Sequence, residues 1–111
     1  MPEVIFHVQG SAAEPYVVTF RDRGGGNLSA YCTCPAGQNG QYCKHRFAIL
    51  AGETKGIVSG NEEDVAKVLS WLAESDVEAA LQDLEREQAA FDEAKKRVSR
   101  AKKALAKAMR D

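Results

Sequence analysis

No run of eighteen apolar residues occurs anywhere in these 111 residues, which excludes a hydrophobic membrane-spanning helix. Large apolar side chains are also scarce. Hydrophobic residues make up 44 % of the chain, but seventeen of those forty-nine are Ala, and only four Phe, three Tyr and one Trp are aromatic. A core so thinly supplied needs a supplement. Neither sign of charge dominates: fifteen Lys and Arg face sixteen Asp and Glu, for a net charge of −1. That excludes a protein that coats nucleic acid by total charge alone. The start, Met1-Pro2-Glu3-Val4, has neither the basic nor the apolar region of a secretory signal. The expected compartment is therefore the reducing cytoplasm, where three cysteines are thiols or metal ligands rather than a disulfide framework.

Glycine and proline are missing from the whole second half. All nine Gly and all three Pro lie at or before Gly60, so a turn-rich N-terminal part precedes a helical one. Charge divides the chain in a similar way. Residues 1–61 carry a net of +1, residues 62–93 a net of −9 and residues 94–111 a net of +7. The expected organisation is a compact, turn-rich module over 1–53, a linker over 54–61 and a helical, coiled-coil-like region over 62–111.

Within the first part, Val4, Phe6 and Val8 alternate with Ile5, His7 and Gln9, and Tyr16, Val18 and Phe20 alternate with Val17, Thr19 and Arg21. This is strand periodicity. Gly24-Gly25-Gly26 permits the hairpin turn into a third run, Leu28 to Cys34. A helix is expected from His45 to Ala51, stopped by Gly52. Asn61 reads as the N-cap of a helix bearing Val65, Val68, Leu69 and Leu72 on one face, and Ser75 with Glu78 has capping-box spacing. From Ser75 to Arg110 a single helix of about 35 residues is expected, on the order of 50 Å long. The fold class is α+β: a small β-β-β-α finger followed by a long helix or helical hairpin.

The residues that carry chemistry are Cys32-Thr33-Cys34 and Cys43-Lys44-His45. Two close pairs of thiolate and imidazole ligands are how a chain surrounds a tetrahedral zinc, with sulfurs roughly 3.8 Å apart. Pro35 suits the bend after Cys34, and the loop to Tyr42 has two glycines to fold back. A Cys32–Cys43 disulfide would strand one thiol, and a redox Cys-x-Cys gives no role to Cys43 and His45. One zinc held by Cys32, Cys34, Cys43 and His45 is the reading, and folding of 1–52 is expected to depend on it. With four protein ligands no position remains for a reactive water, so the metal is expected to be structural. Gly24-Gly25-Gly26 leads into a strand rather than a helix and is no nucleotide loop. An enzyme is not expected.

The pattern Cys32-x-Cys34…Cys43-x-His45, with Pro35 after the first pair and the apolar Phe47-Ala48-Ile49-Leu50 after the second, resembles the SWIM-type zinc finger over about residues 16–52. Such fingers occur in Mutator-type transposases, helicase-like remodellers, ubiquitin ligases and small bacterial proteins. The resemblance implies a β-β-α zinc module with a DNA-binding or protein-binding role.

Two functional expectations follow. The first is a nucleic-acid-binding module, DNA foremost, using Arg21, Arg23, Lys44, Arg46 and Lys55 near the finger, with Tyr31 and Tyr42 as candidates for base stacking. The second is a protein-interaction adaptor with the finger as a rigid head and the helix as partner surface. Val77, Leu84, Phe91, Val98 and Leu105 recur every seven residues, accompanied by Ala80, Ala94, Ala101 and Ala108. This heptad stripe is expected to form an antiparallel homodimer through residues 77–108.

Overall fold

The computed structural model describes residues 2–110, so the outermost residue of the first and last expected regions lies outside the described residues. Three strands, β1 (Glu3–Val8), β2 (Tyr16–Gly24) and β3 (Asn27–Cys32), form one antiparallel sheet in the order β1-β2-β3. Their register pairs Phe6 with Val18, and Phe20 with both Val4 and Ala30. Alternation therefore sends Val4, Phe6, Val8, Val18 and Phe20 to one face, where all five are buried. Gly24, Gly25 and Gly26 all take positive φ in the β2–β3 turn, which side chains other than glycine resist.

Four helices follow: α1 (Pro35–Gln38), α2 (Lys44–Leu50), α3 (Val65–Leu72) and α4 (Asp76–Arg110), with a 3-10 turn (Glu62–Asp64) before α3. Ile49 and Leu50 of α2 and Val65, Val68 and Leu72 of α3 complete the core over the inner sheet face. Gly52 ends α2 at φ 87°. Its N–H donates to Ile49 O and that of Glu53 to Ala48 O, the paired bonds of a Schellman motif.

Residues 54–61, expected as a linker, are instead held against β1. The Gln9 N–H donates to Gly56 O and the Val58 N–H to His7 O, while Ile57 is buried. Asn61 does not cap a helix. Its Oδ1, the atom a cap would use, accepts instead from the Ser59 hydroxyl at 2.5 Å, and its Nδ2 donates to Ile5 O of β1. The third strand stops at Cys32, two residues early, because Pro35 opens α1. Ser75 caps α4 by accepting from the Glu78 N–H at 3.1 Å, but the Glu78 carboxylate accepts from the Glu74 N–H rather than from that of Ser75.

Two compact units result, Met1–Glu78 and Ala79–Asp111. The described residues of the second are the remainder of α4, none of them buried. Among the described residues, no helix is long and apolar enough to cross a membrane.

Candidate metal centre

Each ligand stands at the end of an element. Cys32 closes β3, Cys34 is the N-cap of α1, Cys43 is the N-cap of α2 and His45 lies in the first turn of α2. The Cys34 N–H donates to Cys32 Sγ at 3.4 Å, and the Gly37 N–H donates to Cys34 Sγ at 3.3 Å. Backbone N–H groups thus donate to both sulfurs of the first pair.

The four side chains meet. Cys34 Sγ and Cys43 Sγ are 3.4 Å apart; His45 Nδ1 lies 3.7 Å from Cys43 Sγ and 3.8 Å from Cys32 Sγ. All four ligand atoms fall within 4.8 Å of one another. A tetrahedral zinc with ordinary bond lengths asks for about 3.8 Å between sulfurs and about 3.6 Å between sulfur and nitrogen. The group therefore suits one zinc ion, with Nδ1 as the imidazole ligand atom. The opposite ring nitrogen, Nε2, is buried without a hydrogen-bond partner among the described residues, and its ring packs on Tyr16 at 4.9 Å between centroids. Packing on Tyr16 helps to orient this ligand.

Electrostatics point the same way. Burial pushes the Cys32 thiol up to about 12. At Cys43 burial also opposes the charge, but the Arg46 backbone N–H and the neighbouring Cys34, His45 and Cys32 side chains prevail and bring it down to about 6. Without a cation the cluster does not hold Cys43 and Cys32 both as thiolates at neutral pH; a divalent ion supplies the missing charge.

Of the five expected nucleic-acid contacts, Arg21, Arg23 and Arg46 have partners within the fold and Lys44 and Lys55 line one groove. Arg21 pairs with Glu3 at 2.6 Å, and Arg23 lies 3.8 Å from Asp76. Arg46 donates from Nη1 to Ala30 O at 3.1 Å and from Nη2 to Gln41 O at 2.6 Å, tying the loop to β3. Lys44 and Lys55 come together on the rim of one open groove of about 610 Å³, which Tyr42, Phe47, His45 and Glu53 also line. Tyr42 stacks on Phe47 at 4.2 Å and is itself 64 % exposed; Tyr31 is exposed on β3.

Two residues of consequence escape sequence reasoning. Gly37 lies directly against Cys32, with no room for a side chain, and Arg46 is a brace rather than a surface cation. The Cys-Pro-Ala-Gly text carries a signal for the first; nothing in the text marks the second.

Sheet, helix and ligand group together define a small zinc-binding module of the β-β-β-α kind. The family model for the SWIM zinc finger matches residues 16–51, so the chain carries a SWIM zinc finger over that segment. No curated protein and no solved structure matches the chain.

Proposed function

We propose that this chain is a zinc-stabilised, non-catalytic binding module whose ligand is nucleic acid. The observation that carries the reading is the groove beside the metal centre. Lys44 and Lys55 stand on its rim, and Tyr42 offers an open ring face backed by Phe47. Two cations beside a braced aromatic suit phosphates flanking an unpaired base. The zinc, closed by four protein ligands, has no position for a reactive water and sets the groove's geometry instead.

Fluorescence anisotropy with single-stranded and duplex oligonucleotides across a salt series tests this. Two lysines predict a shallow dependence, with log K falling by about 1.4 per decade of salt on a single strand. Lys44→Ala should remove about half of that slope, and Tyr42→Ala should weaken single-strand binding by about 1–3 kcal/mol. No binding at low salt would end the reading. A second reading, a protein-interaction adaptor, gains from the engagement of Arg21, Arg23 and Arg46 within the fold. A pull-down in which a defined partner survives nuclease treatment would favour it.

A further inference from the structure

The second unit is a helix whose apolar stripe faces solvent. Leu84, Phe91, Val98 and Leu105 are all exposed, Phe91 and Leu105 to 57 % each. A helix that is wet on every side gains nothing from carrying large apolar residues at every seventh position. Between them run Ala80, Ala94 and Ala101, interrupted once by Glu87. The stripe also has a hollow. Phe91, Ala94, Lys95 and Val98 rim a surface depression of about 400 Å³. Residues spaced i, i+3, i+4 and i+7 form the hole that receives a knob in paired helices.

The charge of the same helix selects the occupant. Residues 78–93 hold six acids and one base, a net of −5; residues 95–110 hold eight bases and no acid, a net of +8. Two copies side by side in parallel would set like blocks together, whereas two antiparallel copies set each acidic half against a basic half. Paired helices lie about 8–10 Å apart, close to the Debye length at physiological salt, so the blocks are felt across the pair.

We infer that the helix pairs with a second copy of itself, antiparallel, about a twofold axis passing between Asp92 and Glu93. Of the antiparallel registers that set the large stripe against the alanine row, this one overlaps most and aligns the charge blocks. Shifting it by a heptad toward the N-terminus sets acid against acid; shifting it the other way shortens the overlap. In the chosen register Leu84 meets Ala101 of the second copy, Phe91 meets Ala94 and Leu105 meets Ala80. Large against small at successive layers allows close approach of the backbones. Phe91 of each copy enters the other's hollow, displacing the Lys95 ammonium that lies 5.3 Å over its ring. Only Val98 meets a polar residue, Glu87, and that layer occurs twice in the pair.

The zinc-loaded full chain, followed by sedimentation equilibrium from about 0.05 to about 0.5 M salt, should be a dimer that weakens as salt rises. Phe91→Glu should be monomeric with unchanged helix content. Glu87→Ala, which turns the one broken layer into large-against-Ala, should tighten the dimer at least about tenfold, since two buried carboxylates are removed. A zero-length carbodiimide link between Asp83 and Lys102 should appear in the dimer. These residues are about 28 Å apart along one helix, so the link cannot form within a chain or across a parallel pair. A monomeric wild type, a dimer that tightens with salt, or a dimer unaffected by Phe91→Glu would each overturn the inference.

Discussion

Gly37 is the position where a single added carbon should damage the metal centre most directly. Built on this backbone, an alanine Cβ would sit 2.4 Å from Cys32 O, 2.8 Å from Cys32 Cβ and 3.0 Å from Cys32 C. The first of these falls well inside any tolerable carbon–oxygen contact. None of the three atoms is the end of a flexible side chain, so the clash is relieved only by moving α1 off the end of β3. That movement parts Cys34 from Cys32. The bond from the Gly37 N–H to Cys34 Sγ at 3.3 Å is stretched with it.

Two effects of opposite sign compete in Gly37→Ala. Alanine is the better helix former by at most about 1 kcal/mol, and in a four-residue helix the gain is smaller. Overpacking costs about 1–3 kcal/mol, and the upper half of that range applies where backbone must shift. The net loss of about 1–2 kcal/mol corresponds to zinc binding weakened by about 5–30-fold. Competition against a chromogenic chelator measures that affinity. The ligand-field bands of the cobalt-substituted protein report whether the tetrahedron itself is distorted, because metal distances tolerate only about 0.2 Å. Gly40→Ala is the control. Gly40 sits at φ 69° with nothing within 4 Å of the added carbon, so it should lose about 1–2 kcal/mol of stability through backbone strain alone and leave the cobalt spectrum unchanged. A Gly37→Ala protein with the parent's zinc affinity and spectrum would refute the reasoning.

Zinc binding should expel protons. At pH 7 the Cys32 thiol, raised to about 12 in the metal-free cluster, carries a proton that the metal must displace, so log K should rise by at least about one per pH unit near neutrality. Cys43, lowered to about 6, adds a second proton only in acid, where affinity should fall more steeply; calorimetry in buffers of different ionisation enthalpy reads the count, and a pH-independent affinity would contradict it. Ser75→Ala removes the buried hydroxyl that accepts from the Glu78 N–H and should lower the stability of the Met1–Glu78 unit by about 0.5–2 kcal/mol in denaturant unfolding.

The strands, α2 and α4 were legible because each carries a periodic apolar face, and the ligand group because four metal-binding side chains crowd into fourteen residues. What was not legible is held by backbone rather than by pattern. Helix α1 is four residues long and rests on bonds from the Gly37 N–H to Cys34 Sγ and from the Gln38 N–H to Cys34 O, which leave no periodicity in the text. Residues 54–61 join β1 through main-chain groups of His7 and Gln9, so a segment with loop composition becomes part of the fold. Asn61 shows a local preference losing to other partners: the Oδ1 that would cap a helix accepts from the Ser59 hydroxyl, while its Nδ2 ties the segment to Ile5 O.

The start of α2 shows why counting cations overstates a basic surface. Lys44, His45 and Arg46 are consecutive, and on a helix consecutive side chains point about 100° apart. The turn that aims His45 Nδ1 at the sulfurs therefore sends Lys44 to the groove rim and Arg46 back toward β3, where the Ala30 and Gln41 carbonyls take its guanidinium. Three adjacent bases do three separate jobs. Of the three, Lys44 is the cation of the proposed nucleic-acid groove, and with Arg21 and Arg23 beside carboxylates, the proposal rests on Lys44 and Lys55 of the five. The difference is measurable: five contacts would give a salt slope near 3.5 on a single strand, two give about 1.4. A slope at the larger value would mean that Arg21, Arg23 and Arg46 leave their partners on binding, and that the finger rearranges around its ligand.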